Sequence, residues 1–453
     1  MATKQSLRYG IYKQILFYTI HTNVLNYSML CKVSENPKFR GISVGTILNH
    51  DSDIKLEVES HMLEDPYIRG PPEDFISLVI RNLKKISEAQ HGPIKDAVIS
   101  VPDNLNTRQR RTVIKAGVKA GLNARIINAS SAAALAYGQE KKLSVDQDSN
   151  ILIFDLGGRF LKVTVLCIKS DQIKALITES TQLGGEDFDD RIFSKIYSQS
   201  DTARQEKIGA CEKAKISLST SEVAIMEGGV KASITRDSFE EICSDLFLKT
   251  LEPVKRALSN AKMDKSSIND IILVGGSSKI PKIQKLLKDF FPGKLLTMDI
   301  NPDEAVARGA AVRADILTRE KNEALSGLQL SEIAYSSLYM ETEGGVLTSL
   351  VKKNTTIPTT RTFTGVCNMP ASVSLDWPES HLILKENQPT LPINIYEGEE
   401  EKCGKHFFIG KIYLPITPAP SGKFQYEVMV DFDTCGLLNA YASQKLSMNH
   451  FEV

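Results

Sequence analysis

The sequence of 453 residues predicts an α/β region followed by an all-β region. From about residue 90 to about residue 320, short β-rich apolar runs alternate with segments of helical periodicity, which is typical of α/β architecture. Beyond about residue 330, short alternating runs lie between turns rich in Pro, Gly and Asn, which is typical of strand sandwiches. Residues 1 to about 90 are more weakly patterned and mix strand-like runs with turn signals.

The elements of the α/β region follow from apolar runs of strand length and from apolar positions at helical spacing. Strands are predicted at Ala97–Val101, Ile151–Phe154, Val163–Ile168 and Ile271–Val274. Helices are predicted from Thr107, near 203–218, near 238–262 and from Pro281. Strands that alternate with helices in this order favour a sheet covered by helices.

In the all-β region, strands are predicted at Leu347–Val351, Ile393–Tyr396, Gln425–Asp431 and Leu438–Ala442. The join between the two regions is short and partly apolar, so a docked linker is favoured over a floppy one. We therefore predict a first domain over 1–325 with a divergent segment at 1–70, a linker over 326–333, and a β domain over 334–453.

Composition excludes several classes of function. The 55 Lys and Arg residues balance 55 Asp and Glu residues, so neither a nucleic acid nor an anionic membrane is an expected partner. Apolar runs fall short of the roughly 20 residues that span a bilayer, and no secretory cleavage pattern is present. The seven scattered cysteines favour a reducing, cytoplasmic location. Residues 1–34 lack Asp and Glu, as organelle transit peptides do, but with a single Arg an ordinary strand segment is favoured.

Two predicted strands end in a glycine pair. Gly157 and Gly158 follow the predicted strand Ile151–Phe154, and Gly275 and Gly276 follow the predicted strand Ile271–Val274. Glycines directly after a buried strand let the backbone turn sharply and bring N–H groups against phosphates or nucleosides. Each pair alone also fits a plain turn. Two pairs in one α/β region indicate a duplicated nucleotide-binding fold.

A polar trio lies on one face of the helix predicted near 203–218. Glu212, Lys215 and Ser219 are spaced i, i+3 and i+7. They offer an acceptor, a cation and a hydroxyl to a ribose and a purine edge. The alternative is a solvated helix face.

Longer motifs identify a family resemblance. The chain closely resembles the heat shock protein 70 family from about residue 70 to about residue 445. The motifs that carry it are Val98–Pro102, Gly121–Asn128, Ala132–Gly138, Ile153–Gly158, Leu183–Asp189, Val274–Gln284, Ile300–Ala307, Asn354–Thr359 and Asp431–Asn439. The resemblance implies an actin-like, duplicated nucleotide-binding domain, reduced at its N-terminus, followed by a β-sandwich that binds extended apolar peptides.

The resemblance also implies a nucleotide site for ATP or ADP. The residues carried over to the adenosine and phosphates are Gly157, Gly158, Gly184, Gly185, Glu212, Lys215, Ser219, Gly275, Gly276, Ser277, Lys279 and Asp303. Lys279 departs from the family, which usually has an arginine stacked on the adenine, and an ammonium stacks less well.

The hydrolytic half departs further from the family pattern. The second phosphate loop of the family reads Asp-Leu-Gly-Gly-Gly-Thr-Phe-Asp, whereas here Arg159, Phe160 and Lys162 replace glycine, threonine and the last aspartate. The resemblance implies Asp155 as the one candidate remnant of the metal shell and retains no catalytic residue, so Mg²⁺ is not an expected cofactor. The usual Glu-Pro-Thr helix start is Ala129-Ser130-Ser131, and residues 1–70 contain no counterpart of the first phosphate loop; Lys38 is only loosely similar to its lysine.

These losses argue against efficient hydrolysis. Phosphoryl transfer to water depends on positioning and charge neutralisation, and each lost group costs a factor of roughly 10² to 10³. Arg159 and Lys162 either supply fixed positive charge in place of metal ions, or are drifted surface or hairpin residues. The sequence leaves both open.

Three functions remain open. The first is a divergent chaperone of this family that binds adenine nucleotide and unfolded or nascent polypeptides, with weak or absent ATPase activity. The second is a non-catalytic scaffold without a helical lid after Val453, which partners a J-domain protein at the ribosome. The third is an ordinary ATPase of the family. A stretch at Gly365–Glu386 is an expected insertion in the β domain.

Overall fold

The structure is a computed structural model. It describes residues 18–19, 30–31, 40–43, 56–57, 67–68, 72–141, 148–169, 172–197, 204–226, 232–319, 329–342, 345–368, 383–385, 388–398, 406–416 and 423–445. Lys38, most of 1–70, the linker residues 326–328 and most of Gly365–Glu386 therefore lie outside the described residues. In the described part, every helix is too short or too polar to cross a membrane.

The helices are distributed from residue 72 to residue 319. They are α1 (Pro72–His91), α2 (Thr107–Lys119), α3 (Ala129–Lys141), α4 (Gly185–Ile196), α5 (Arg204–Ser217), α6 (Arg236–Ile242), α7 (Ser244–Lys249), α8 (Leu251–Ala261), α9 (Pro281–Phe290) and α10 (Ala305–Arg319). Short 3₁₀ turns span Lys265–Ser267 and Gly276–Lys279.

The strands before residue 320 are β1 (Tyr18–Thr19), β2 (Leu30–Cys31), β3 (Arg40–Ser43), β4 (Leu56–Glu57), β5 (Tyr67–Ile68), β6 (Asp96–Val101), β7 (Asn123–Asn128), β8 (Ser149–Leu156), β9 (Leu161–Lys169), β10 (Gln172–Thr181), β11 (Val223–Met226), β12 (Ala232–Thr235), β13 (Asp270–Val274) and β14 (Leu295–Thr297). The later strands are β15 (Gln329–Ile333), β16 (Ser337–Thr342), β17 (Val346–Val351), β18 (Thr356–Ile357), β19 (Thr359–Asn368), β20 (Ile383–Lys385), β21 (Gln388–Gly398), β22 (Phe407–Pro415), β23 (Lys423–Phe432) and β24 (Leu438–Lys445).

The chain divides into two compact units. The first comprises Met1–Asp103 and Thr112–Leu330, and the second comprises Asn104–Arg111 and Ser331–Val453. Mixed α/β content with several sheets fits a nucleotide-binding domain combined with a β-sandwich.

The main sheet of the first unit runs in the order β14-β13-β8-β9-β10. β13 pairs in parallel with β8 and β14, whereas β8, β9 and β10 form an antiparallel meander. Residues 161–168 of β9 are buried without interruption, because both faces of the sheet are covered. One face packs on a core that contains Phe154, Val163 and the ring cluster of Phe188, Phe239 and Phe247.

A smaller parallel sheet has the order β3-β6-β7, so residues 40–43 pair with β6, which contains the strand predicted at Ala97–Val101. Between them lies α1, a helix that the sequence pattern did not predict. Pro72 begins it, and Ile76, Ile80 and Leu83 are buried at helical spacing.

The helix predicted near 238–262 is three helices. α6, α7 and α8 are separated at Cys243 and Thr250. The Thr235 hydroxyl caps α6 by accepting from the Ser238 N–H, and the Thr250 hydroxyl donates to the Phe247 carbonyl at 2.6 Å. Such local hydroxyl bonds compete with continuous helix, which is why apolar periodicity overestimated its length.

The second unit is built from strands. One sheet has the order β17-β16-β21-β20, with β22 also paired to β21, and another has the order β19-β23-β24. The four strands predicted here are confirmed, with longer bounds. Leu338, Ile395, Val428 and Val430 are among the buried residues of its core. Of the stretch at Gly365–Glu386, the first residues belong to β19 and Ile383–Lys385 to β20.

Candidate functional site

Three glycine loops meet at the carboxyl ends of two parallel strands of the first unit. Val274 pairs in register with Asp155, so Gly157–Gly158 and Gly275–Gly276 leave the sheet at the same edge. This edge is where α/β sheets bind ligands. We call the six glycines of the three loops the glycine cradle: Gly157, Gly158, Gly184, Gly185, Gly275 and Gly276.

The loop after β13 lies against the loop after β8. Gly275 has a φ of +80°, and a Cβ there would lie 3.0 Å from the Asp155 carboxylate oxygen and still closer to the Leu156 carbonyl. Only glycine meets both conditions. A Cβ on Gly276 would lie 3.0 Å from the Asp303 carboxylate, so the predicted residue Asp303 also borders the cradle.

The third loop begins helix α4 and is bound to the first by its backbone. The Gly185 N–H donates to the Gly157 carbonyl at 2.9 Å, and the Glu186 N–H donates to the Gly158 carbonyl at 2.7 Å. A Cβ on Gly184 would overlap the Gly158 carbonyl. In the cradle, the main chain of the third loop therefore contacts the main chain of the first loop directly.

Lys215 reaches the cradle from α5. Its Nζ donates to the Gly185 carbonyl at 2.9 Å and to Asp189 Oδ2 at 2.6 Å. The two side chains are 7% and 3% exposed. A Cβ on Gly185 would lie 2.8 Å from Lys215 Nζ and 2.5 Å from Ser277 Oγ, so these predicted residues lie together.

Asp189 is a site residue that the sequence pattern did not single out, although it ends the motif Leu183–Asp189. Burial raises the pKa of its carboxyl to about 6, and the Lys215 ammonium opposes that rise. Its Oδ1 is buried and makes no hydrogen bond to the described residues. Asp189 and Lys215 are distant in sequence, so the only sequence signal for Asp189 is its place in the motif Leu183–Asp189.

Glu212 precedes Lys215 by three residues in α5, and Ser219 follows it by four. Both are half-buried, and within the described residues their side chains make no hydrogen bond to protein. The predicted shared helix face needs correction, because α5 ends at Ser217 and Ser219 lies in the turn that follows. There its N–H donates to the Ile216 carbonyl at 3.1 Å.

Lys279 is held by an ion pair. Its Nζ contacts Asp303 Oδ2, and both side chains are about one-third exposed. This pairing directs the ammonium to a carboxylate that also borders the cradle. We call Glu212, Ser219, Lys279 and Asp303 the nucleoside side of the site.

The opposite border is filled by charged side chains. Arg159 lies in the turn between β8 and β9, and its Nε donates to both carboxylate oxygens of Glu186, at 2.9 and 2.8 Å. Burial raises the pKa of the Glu186 carboxyl, and the Arg159 guanidinium opposes the rise. Arg159 is therefore a fixed hairpin residue with an internal partner.

Lys162 is not a surface residue. It is 7% exposed and lies in β9 directly opposite Asp155 of β8. Burial raises the pKa of the Asp155 carboxyl, the Lys162 ammonium opposes this, and the Asp103 carboxylate adds to it. Asp103 itself caps α3, since Ser130 donates to it through both its N–H and its hydroxyl. We call Asp103, Asp155, Arg159, Lys162 and Glu186 the phosphate side.

Comparison with known proteins decides the family. A family model described as Hsp70 protein matches residues 42–453, which is most of the chain. This chain belongs to the Hsp70 family.

Its Hsp70 relatives are longer proteins. The heat shock 70 kDa protein of Neurospora crassa is 40% identical over 397 residues, which cover 83% of this chain and 59% of that protein. The heat shock cognate 70 kDa protein 3 of Dictyostelium discoideum is 41% identical over 396 residues, covering 83% and 60%. This Hsp70-family chain thus spans less than two thirds of the length of either relative.

Hsp70 proteins bind adenine nucleotides, and the two sides of the site fit such a ligand differently. On the nucleoside side, Glu212 and Ser219 are half-buried, and their side chains make no hydrogen bond to the described residues. The phosphate side does not fit Mg²⁺, because carboxylates are the ligands it needs and Asp155 and Glu186 already face cations. The described residues contain no cluster of three or more metal-ligating side chains.

Proposed function

We propose that this Hsp70-family chain binds ATP or ADP and holds unfolded or extended polypeptide, with weak or absent ATP hydrolysis. One observation carries the proposal: three glycine loops converge around Lys215 and Ser277, while the opposite border holds the Arg159–Glu186 ion pair and the buried Lys162 opposite Asp155. The proposed site residues are the glycine cradle, Lys215, Ser277 and the nucleoside side. The proposed fold is an actin-like nucleotide-binding domain over 1–325, a linker over 326–333 and a β-sandwich over 334–453.

Nucleotide binding follows from the nucleoside side. Glu212 and Ser219 supply an acceptor and a hydroxyl, and Lys215 fixes the loop at Gly185 through a buried hydrogen bond. The glycines allow a ligand to approach the main chain, as in other nucleotide sites. Glu212, Lys215 and Ser219 come from one helix and its final turn, so they move as one unit.

Loss of hydrolysis follows from the phosphate side. Hydrolysis requires charge neutralisation at the phosphates and an oriented water. Here the N–H groups that begin α4 donate to Gly157 and Gly158, and the start of α3 is capped by Asp103. Donors that are already engaged do not stabilise a transferring phosphoryl group.

Polypeptide binding is proposed for the strands of the second unit. Phe407 and Phe408 of β22 are 61% and 52% exposed, although they begin a strand that pairs with β21. Exposed aromatic side chains beside a strand suit the recognition of an extended apolar segment, which hydrogen bonds by its main chain. A cytoplasmic location and nascent polypeptide partners belong to the same proposal.

Calorimetry with ADP and ATP tests the nucleotide part. We expect both to bind the full chain, and single-turnover ATP hydrolysis to be slower than in typical family members by a factor of at least about 10². The control variant Gly209→Ala should bind both nucleotides as the wild type does, because a methyl group added to this α5 glycine would have no heavy atom within 4 Å. No detectable binding at millimolar nucleotide would contradict the proposal, and hydrolysis at an ordinary rate would restore the full ATPase.

A non-catalytic scaffold that partners a J-domain protein at the ribosome is the second candidate. The occupied phosphate side favours it, because a scaffold needs no hydrolytic groups. Co-sedimentation with ribosomes or co-purification with a J-domain protein would support it. A chain that stays unassociated in both assays, yet binds nucleotide, favours the first candidate.

A further inference from the structure

Lys215 is bound by two groups from one turn of helix α4. Its Nζ donates to the Gly185 carbonyl at 2.9 Å and to Asp189 Oδ2 at 2.6 Å. Gly185 and Asp189 lie four residues apart at the start of α4, and positions with this spacing share one side of a helix. The Lys215 and Asp189 side chains are both buried, so the ammonium is held at the cradle away from bulk water.

The place in which the ammonium is held borders the cradle. A Cβ added to Gly185 would lie 2.8 Å from Lys215 Nζ and 2.5 Å from Ser277 Oγ, so both polar atoms line the space beside this glycine. An ammonium has three N–H donors. Two of those of Lys215 bind Gly185 and Asp189, and the third makes no hydrogen bond to the described residues. That third donor is left for a ligand that contacts Gly185.

Asp189 is the carboxylate that fixes this position of the ammonium. Two other carboxylates lie near it, on Glu186 and Glu212. Glu186 is bound to the Arg159 guanidinium, and Glu212 makes no hydrogen bond to the described residues. Neither of them supplies the contact to Lys215. Within the described residues, the position of the ammonium across the first turn of α4 therefore depends on Asp189.

Stability alone does not require a charged pair at this place. Replacing a buried ion pair by apolar residues of similar volume is often neutral or stabilising, because desolvation of the charges offsets their attraction. Asp189 Oδ1 is buried and makes no hydrogen bond to the described residues, so the carboxylate is incompletely satisfied. Apolar side chains would serve packing at least as well. The charged pair therefore indicates a role in the site.

We propose that Asp189 is a positioning residue for nucleotide binding, which holds the Lys215 ammonium at Gly185 where the ligand contacts it. Asp189 acts through Lys215 and does not itself contact the ligand. The inference rests on the proposed nucleotide binding and adds the residue that determines how precisely Lys215 is placed.

The protonation state of Asp189 supplies a readout that packing alone would not change. Above about pH 6 its ionised carboxylate forms a charge-assisted hydrogen bond to the ammonium, roughly twice as strong as a bond between neutral groups. The other titratable groups facing it are Glu186 on α4, Glu212 and Cys211 on α5, and Cys243 before α7. Burial raises the pKa of both thiols to about 12, so they stay neutral. All four groups are shared by an Asp189→Asn variant.

Calorimetry of the full chain with ADP, for wild type and Asp189→Asn between pH 7.5 and pH 5, tests the inference. We expect the variant to bind ADP about tenfold more weakly at pH 7.5, because a neutral amide holds the ammonium less firmly. At pH 5 the two should bind nearly equally, because the wild-type carboxyl is then protonated. Asp190→Asn, at the exposed neighbouring position, is the control and should match the wild type throughout.

The ratio of the two ADP dissociation constants decides the outcome. A ratio near one at pH 7.5, or a ratio that stays constant down to pH 5, overturns the inference but leaves the proposed function intact. If Asp189→Asn does not fold, Asp189→Glu keeps the charge and displaces the carboxylate by one methylene. That variant should still bind ADP at least about fivefold more weakly, and unchanged affinity overturns the inference. No binding of ADP by the wild type overturns the proposed function, and the inference with it.

Discussion

The nucleoside side and the phosphate side border the same cradle but differ in what their polar groups do. On the nucleoside side, Glu212 and Ser219 are half-buried and make no side-chain hydrogen bond to the described protein. On the phosphate side, Arg159 and Glu186 bind each other and Lys162 faces Asp155. Groups left without protein partners are suited to a ligand, whereas groups bound to each other stabilise the protein itself. We therefore propose that Glu212 and Ser219 contact the ligand, whereas the Arg159–Glu186 pair stabilises the protein itself.

The largest expected effect is a loss of stability when the buried Lys215–Asp189 pair beside the glycine cradle is broken. Lys215→Met leaves Asp189 buried without its cation and should lower the free energy of unfolding by about 3–5 kcal/mol in urea denaturation. The double variant Lys215→Met/Asp189→Leu should recover most of this loss, because no buried charge remains. Lys213→Met, at an exposed position of α5, is the control. A loss below about 1 kcal/mol would show that the pair is dispensable.

A pH effect of the next size comes from Asp189. Its folded pKa of about 6 lies above the usual 3.8, so between these values the folded chain binds a proton that the unfolded chain lacks. The contribution of Asp189 to stability is therefore present at low pH and is lost as pH rises through about 6. Relative to Asp189→Asn, the wild type should gain on the order of 2 kcal/mol between pH 7 and pH 4. A stability difference between wild type and Asp189→Asn that stays constant from pH 7 to pH 4 would contradict the raised pKa of Asp189.

Gly184→Ala tests whether close backbone contact defines the cradle. Its Cβ would overlap the Gly158 carbonyl, which cannot rotate away, so we expect a loss of about 1–3 kcal/mol in stability and weaker ADP binding. Gly209→Ala, with open space around its Cβ, should be neutral or stabilising by about 0.5–1 kcal/mol. Equal stability of the two variants would contradict the described packing.

The smallest effect separates the two sides by ligand. Glu212→Ala should weaken ADP and adenosine alike, by about tenfold, without lowering the melting temperature, because its carboxylate makes no hydrogen bond to the described protein. Glu241→Ala, at an exposed position of α6, is the control. Unchanged adenosine affinity, measured by calorimetry, would remove Glu212 from the site.

Features of the site that depend on local sequence pattern could be predicted from the sequence. Gly157 and Gly275 could be predicted as loop residues at one edge because each follows a buried apolar run. The cap of α3 by Asp103 and the partnership of Lys215 with Asp189 could not, because both are contacts between elements. α1 was missed although Pro72, Glu73 and Asp74 form a regular helix start. The break at Cys243 depends on local geometry that periodicity does not report.

The role of Lys162, which stands where the family has an aspartate, depends on the strands that surround it. From its sequence position it fitted either a drifted surface or hairpin residue or a fixed charge, and burial excludes the surface alternative. The reason is that both faces of the sheet are covered along β9, where residues 161–168 are buried without interruption. Burial of this kind depends on the meander as a whole, which a single strand cannot reveal.

The backbone bonds that join Gly185 and Glu186 to the carbonyls of Gly157 and Gly158 link two loops that are far apart along the chain. Their amide protons can exchange with deuterium only when the loops separate, so exchange at these two positions reports how often that separation occurs. A ligand that bridges the loops would slow that exchange even if it left every atom of the average structure in place.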